Sequence, residues 1–132
     1  ILNATLRENL TYGVSEDIDD EILLNFISEF KLFNENKKID LDKEISNKSL
    51  STGQMQKVSF IRALAVGTEI LILDESTSNL DIETKKLIFE IIEKQDMTIL
   101  NSTHNPEDFT GVHNEITISL SEEKRIVEFK KL

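Results

Sequence analysis

Four long apolar residues in a row, Ile70-Leu71-Ile72-Leu73, run directly into two adjacent carboxylates, Asp74-Glu75. A short unbroken apolar run rich in branched residues is the mark of a strand in a parallel sheet, covered on both faces. Downstream, Asp81 is placed to cap a helix whose Leu87, Ile88, Ile91 and Ile92 make one apolar face, and Met97 to Leu100 reads as a second short strand. Strand, helix, strand is the right-handed crossover unit, so this part of the chain is expected to be α/β. In such sheets ligands gather at the carboxyl ends of the strands, which is where Asp74 and Glu75 fall.

The flanking segments read less uniformly. Gly53 to Val66 is expected to be a helix, apolar around much of its circumference (Val58, Phe60, Ile61, Ala63, Leu64, Ala65, Val66), with Gly67 as its stop. From Asp19 to Phe33 the residues Ile22, Leu23, Phe26, Ile27, Phe30 and Phe33 recur at helical spacing behind an acidic first turn. Ala4 to Leu10 fits a short helix ending near Tyr12-Gly13, whereas Asn34 to Lys48 reads as loop or short helix. After Pro106 a helical turn is expected, followed by strands at Glu115 to Leu120 and Arg125 to Phe129, joined at Glu122-Glu123-Lys124.

Composition narrows the function. The 132 residues, 39% of them apolar, amount to about one domain with a modest core. A net charge of -10, with fifteen scattered basic residues, argues against a nucleic-acid partner, which needs a concentrated Lys/Arg footprint. No apolar stretch approaches the roughly 18 residues needed to cross a bilayer. The absence of cysteine removes disulfides and thiol catalysis and is compatible with a reducing compartment. The opening Ile1-Leu2-Asn3-Ala4-Thr5 carries neither initiator Met nor leader pattern, and reads as an internal cut.

Three groups of residues can carry chemistry. Leu50-Ser51-Thr52-Gly53-Gln54 precedes the long helix, and Ser51 with Gln54 three residues on forms a capping box. The same tip, with a glycine that lets backbone approach closely, is also a potential anion site suited to a terminal phosphate. Asp74 and Glu75 either begin a loop or divide two tasks, Asp74 holding magnesium through water and Glu75 polarising a water that attacks phosphate. His104, in Ser102-Thr103-His104-Asn105 just past the next strand, is either incidental or shares the edge of the sheet with Asp74 and hydrogen-bonds developing phosphate charge. His113 reads as a surface residue.

Taken in order, these residues resemble the ABC ATPase family. Leu50-Ser51-Thr52-Gly53-Gln54 resembles its signature motif, Ile70 to Asp74 its Walker B strand, Glu75 the glutamate that follows, Ser78-Asn79-Leu80-Asp81 its D-loop and His104 its switch histidine. Twenty positions separate Gln54 from Asp74 and thirty separate Asp74 from His104, which suits the family. Leu2 to Leu10 is similar to the segment after the Q-loop in exporter-type members, and Arg125-Ile126-Val127-Glu128 to the final hairpin. There are departures: Thr52 replaces the first glycine of the signature pair, Asn79 stands where alanine is common, and Ser46-Asn47-Lys48-Ser49 lacks the usual exporter pattern. No Gly-rich loop ending in Gly-Lys-Ser or Gly-Lys-Thr is present.

The resemblance implies a partial P-loop NTPase core. Residues 1–52 would be the remaining part of the helical subdomain and residues 53–132 the carboxy-terminal part of the α/β ATPase core. It implies ATP and magnesium as ligands, with Ser51, Thr52, Gly53 and Gln54 facing the nucleotide of a second, head-to-tail nucleotide-binding domain. Asp74, Glu75 and His104 would complete the chain's own site, and Asp81 would couple the two. Transmembrane domains are the other implied partner, placing the parent at the cytoplasmic face of a membrane, where it powers transport in the direction of export. Residues 1–132 alone are expected neither to bind ATP tightly nor to hydrolyse it, and apolar strand edges are expected to promote self-association. Two alternatives stay open, a soluble ABC-type ATPase that transports nothing and a non-catalytic interaction module.

Overall fold

Side chains three residues apart decide where most of the helices begin. In the computed structural model, which describes residues 1–15, 17–33, 38–77, 80–106, 109, 111–121 and 124–132, Thr5 opens α1 (Leu6–Leu10). Its Oγ1 accepts from the Glu8 N–H at 3.1 Å while the Glu8 carboxylate accepts from the Thr5 N–H at 2.8 Å. Ser51 and Gln54 repeat the box at α3 (Thr52–Ala65), as expected from the sequence. Asp81 caps α4 (Ile82–Ile92), accepting from the Thr84 N–H at 2.9 Å. Among the helices of the described residues, only α2 (Asp20–Glu29) starts without a side-chain cap bond.

α2 also stops earlier than its apolar spacing suggests. Phe30 closes it and Lys31 takes φ 47, a left-handed turn that ends the helix before Phe33. Ile22, assigned to the apolar face, is 49% exposed, while Leu23, Ile27 and Phe30 are buried against α1 and α3 together with Leu10, Val58 and Ile61. A two-residue pairing missed in the sequence, β1 (Ala4–Thr5) with β2 (Glu44–Ile45), ties the intervening segment back beside α1. The buried Asn9 holds the same corner, its amide donating to the carbonyls of Leu2 and Thr5 and accepting from the Leu2 N–H at 2.8 Å. Arg62 of α3 donates to the Asn9 carbonyl at 2.7 Å and lies over the Tyr12 ring.

Arg7 joins three segments, pairing with Asp20 of α2 and, at 3.1 Å, with Asp42. The guanidinium holds the Asp20 carboxyl below the ordinary carboxylate range. A carboxyl whose folded pKa is depressed stabilises the fold above its unfolded pKa, and that contribution disappears as pH falls through the folded value. Urea midpoints followed from about pH 6 to about pH 3 should therefore fall, and Arg7→Ala should flatten the fall by removing the link to Asp20. Parallel curves for the two proteins would show that this ion pair adds nothing.

β3 (Ile70–Asp74) and β4 (Thr98–Ser102) pair in parallel with Ile70 opposite Thr98 and Asp74 opposite Ser102, and α4 forms the crossover between them. Leu71 and Leu73 enter the same buried cluster as Ile88, Ile91 and Ile92. The expectation that this strand is covered on both faces needs correction. Ile70 and Ile72 are 60% and 68% exposed and, with Leu100 beside Ile72, form an open apolar face. The helices pack on one side of a two-stranded sheet, and among the described residues nothing lies over the other. The sequence reading also passed over Phe89, which is buried and meets the Phe109 ring edge-on at 4.4 Å.

The last two strands, β5 (Asn114–Ser121) and β6 (Lys124–Lys131), form an antiparallel hairpin whose expected joining residues Glu122 and Glu123 lie outside the described residues. Ile116 opposite Phe129 and Ile118 opposite Val127 build one apolar, solvent-exposed face. The helical turn expected after Pro106 falls largely on residues 107, 108 and 110, also outside the described residues.

Candidate functional site

Parallel pairing brings the carboxyl ends of β3 and β4 to one edge, and three of the candidate residues meet there. Asp74 ends β3 as an exposed carboxylate opposite Ser102. The ladder runs one step further, with the Glu75 N–H donating to the Ser102 carbonyl at 3.0 Å. At that residue the backbone turns to φ 45, a left-handed conformation that costs a side-chain-bearing residue energy and is kept only where neighbours impose it. His104 lies two residues past β4, and its Nε2 sits 2.8 Å from the Glu75 Oε1. Both side chains are open to solvent, Glu75 by 49% and His104 by 85%. A carboxylate held by an imidazole beside a second free carboxylate can accept a proton from water while charge is balanced next to it.

The tip of α3 is built differently. Ser51 and Thr52 are exposed, and a side chain added at Gly53 would meet nothing within 4 Å, so no contact inside the chain requires glycine there. Gln54 is turned inward. Its Oε1 accepts from the Ser51 N–H at 2.9 Å and its Nε2 donates to the Leu32 carbonyl at 3.0 Å, so both ends of the amide are engaged within the chain. The Ser51 hydroxyl caps Gln54 at 3.2 Å. The first candidate role of this motif, a capping box, is thus present, and the exposed backbone tip is what a ligand could approach.

Asp81 stands on the far side of the turn. Its carboxylate accepts from both the backbone and the hydroxyl of Thr84, and those bonds hold its pKa below the ordinary range. Ser78 and Asn79, the first half of the expected D-loop, lie outside the described residues. Sequence reasoning missed Gln56, which reaches from α3 to the Ser76 carbonyl at 3.4 Å and so touches the turn after Glu75. No periodicity or motif marks such a contact.

Among the described residues no group of three or more His, Cys, Asp or Glu gathers to hold a metal on protein ligands alone. A lone exposed carboxylate such as Asp74 fits magnesium, which commonly takes one or two carboxylates and fills its other positions with water and phosphate oxygens.

Comparison with known proteins bears on the site. The family model described as ABC transporter matches residues 2–78. The sublancin-168-processing and transport ATP-binding protein of Bacillus subtilis is 34% identical over 113 residues, which is 83% of this chain and 16% of that protein. The lactococcin-A transport/processing ATP-binding protein of Lactococcus lactis is 35% identical over 108 residues, 79% of this chain and 15% of that one. This chain therefore spans about a sixth of the length of these relatives. Among solved structures, a bacterial Atm1-family ABC exporter with ATP bound superposes with a TM-score of 0.73 at 22% identity, covering 86% of this chain and 21% of that one.

Proposed function

The chain belongs to the ABC transporter family, and from that premise we propose that it is the carboxy-terminal part of an ATP-hydrolysing domain that powers export across a membrane. The observation that carries the reading is the 2.8 Å contact between Glu75 and His104 at the carboxyl edge of the parallel pair. Glu75 orients and deprotonates the attacking water; His104 holds that carboxylate through its Nε2–H and, as the proton moves onto Glu75, turns the same N–H to charge growing on phosphate. Asp74 would hold magnesium, which supplies charge neutralisation at the phosphates when bound.

On this reading the work is divided between two copies of the domain. The tip at Ser51, Thr52 and Gly53 meets the triphosphate held by a second nucleotide-binding domain, head to tail, and Asp81 at the foot of α4 links the two sites. Gln54 serves by shaping the tip rather than by touching the ligand, because its amide is occupied. We assign residues 1–52 to the helical subdomain and 53–132 to the α/β core. Among the described residues no helix is long and apolar enough to cross a membrane. The proposal therefore places the transmembrane partner in other residues or another chain, with this domain at the cytoplasmic face. Two relatives named for transport and a solved neighbour titled an exporter favour export over a soluble ATPase. The Glu75–His104 contact favours catalysis over a purely structural module.

His104 offers a direct test. In the full-length parent, His104→Ala should lower ATP turnover by about 10- to 100-fold while ATP affinity stays within about twofold, since one hydrogen bond to developing charge is lost. Unchanged turnover would remove the imidazole from the machinery and, with it, the contact on which the reading stands.

A further inference from the structure

Two buried hydrogen-bonding atoms without partners meet at one junction, the contact between α3 and the turn after Glu75. Gln56, one turn into α3, donates from Nε2 to the Ser76 carbonyl, yet its own Oε1 and the Ser76 hydroxyl are both buried and unbonded. The one other such side-chain atom among the described residues is Nη2 of Arg62. Folded proteins hold few of these atoms, because a buried polar group without a partner is costly, and each calls for a cause. At 3.4 Å the bond that does form is long for N–H···O. The junction is loosely made, with a spare acceptor on Gln56 and a spare hydroxyl on Ser76.

What it touches gives it meaning. The Ser76 carbonyl lies one residue past Glu75, whose φ of 45 needs support from its surroundings. Glu75 is held by the Ser102 carbonyl at its N–H and by His104 at its carboxylate. Neither of these bonds reaches the Ser76 carbonyl, one peptide further on. Gln56 holds that carbonyl from the opposite direction, and it rides on the same continuous helix as the tip at Ser51 to Gly53.

The geometry points to Gln56 as a positioning residue: load on the α3 tip draws its amide onto Ser76, which fixes the turn and hence the Glu75 carboxylate. The unpaired Gln56 Oε1 and Ser76 hydroxyl become partners in the tightened arrangement. Contact at one nucleotide is thereby reported to the base that acts on the other. This inference rests on the reading of Glu75 as the base.

The test is steady-state ATP turnover in the full-length parent for Gln56→Ala, Gln56→Met and Ser76→Ala, with Glu75→Gln alongside. Gln56→Met keeps the length and removes the donor, so it should lose as much as Ala. For both, kcat should fall about fivefold, the size expected for one net hydrogen bond, with KM for ATP within about twofold. Adding Ser76→Ala to Gln56→Met should cost nothing further, because the two act through one contact. A kcat at the parent level, a change confined to KM, or recovery by Met of what Ala loses would each overturn the inference. If Gln56→Met fails to fold, Gln56→Leu carries the same comparison. Full loss in Glu75→Gln beside a normal Gln56→Met sinks the positioning role alone, whereas turnover persisting in Glu75→Gln sinks the base beneath it.

Discussion

Glu75→Gln in the full-length parent should reduce ATP turnover by about 10²- to 10⁴-fold while leaving nucleotide binding close to the parent value, the range expected when a general base is removed. The substitution separates charge from shape. Gln has the same length, can accept the His104 Nε2–H through its carbonyl oxygen, and is no less suited than Glu to the left-handed backbone at this position. The edge of the sheet should therefore stay as it is, and what disappears is the ability to take a proton from water. Single-turnover phosphate release read beside equilibrium ATP binding distinguishes the cases. Slow release with intact binding locates the loss in the chemical step. Turnover within about threefold of the parent would mean that another group, or water alone, removes the proton.

The parts of this arrangement that could be read in advance share a physical reason: they are encoded locally. Ser51 with Gln54 and Asp81 with Thr84 are cap contacts set by an offset of three residues, and both form as the sequence suggests. The apolar run at Ile70 to Leu73, the amphipathic helix after Asp81 and the strand at Met97 to Leu100 follow from periodicity, and a parallel crossover then obliges Asp74 and His104 to share an edge. Features decided by distant partners were not legible. The β1–β2 pairing joins residues about forty positions apart through two-residue strands, too short to leave a pattern. Phe89 is buried because Phe109 meets it, and Ile70 and Ile72 are open because nothing described covers them, although both look like core residues. At the site, the positive φ of Glu75 and the reach of Gln56 to Ser76 are features of the folded turn that no local pattern marks. A left-handed glutamate has no signature in composition, unlike a glycine.

Phe30→Ala should destabilise the chain by about 3–5 kcal/mol, the cost of removing a fully buried aromatic ring and leaving a cavity behind. Phe30 is 0% exposed and stacks on Phe60 with ring centroids 6.5 Å apart, so it is a principal contact between the end of α2 and the body of α3. Its loss should also be felt beyond the core. The next two carbonyls anchor the start of α3, with Lys31 accepting from the Lys57 ammonium at 3.2 Å and Leu32 accepting from Gln54 at 3.0 Å. A cavity at Phe30 loosens the peptide that presents them, and Gln54 is the residue that closes the capping box beneath the exposed tip. Urea unfolding measures the first effect. Amide exchange at Ser51 and Gln54, whose N–H groups are bonded in the capping box, reads the second under native conditions. Gln54→Ala should speed exchange at the tip while costing only about 1 kcal/mol, because it removes the returning bond to the Ser51 N–H and leaves the Ser51 cap and the core in place. If Phe30→Ala lowers stability by the full amount while tip exchange stays unchanged, the α2 end serves the core alone. Faster exchange in both variants would show that the packing of one aromatic ring holds in place the tip of α3, the surface proposed to meet a second domain.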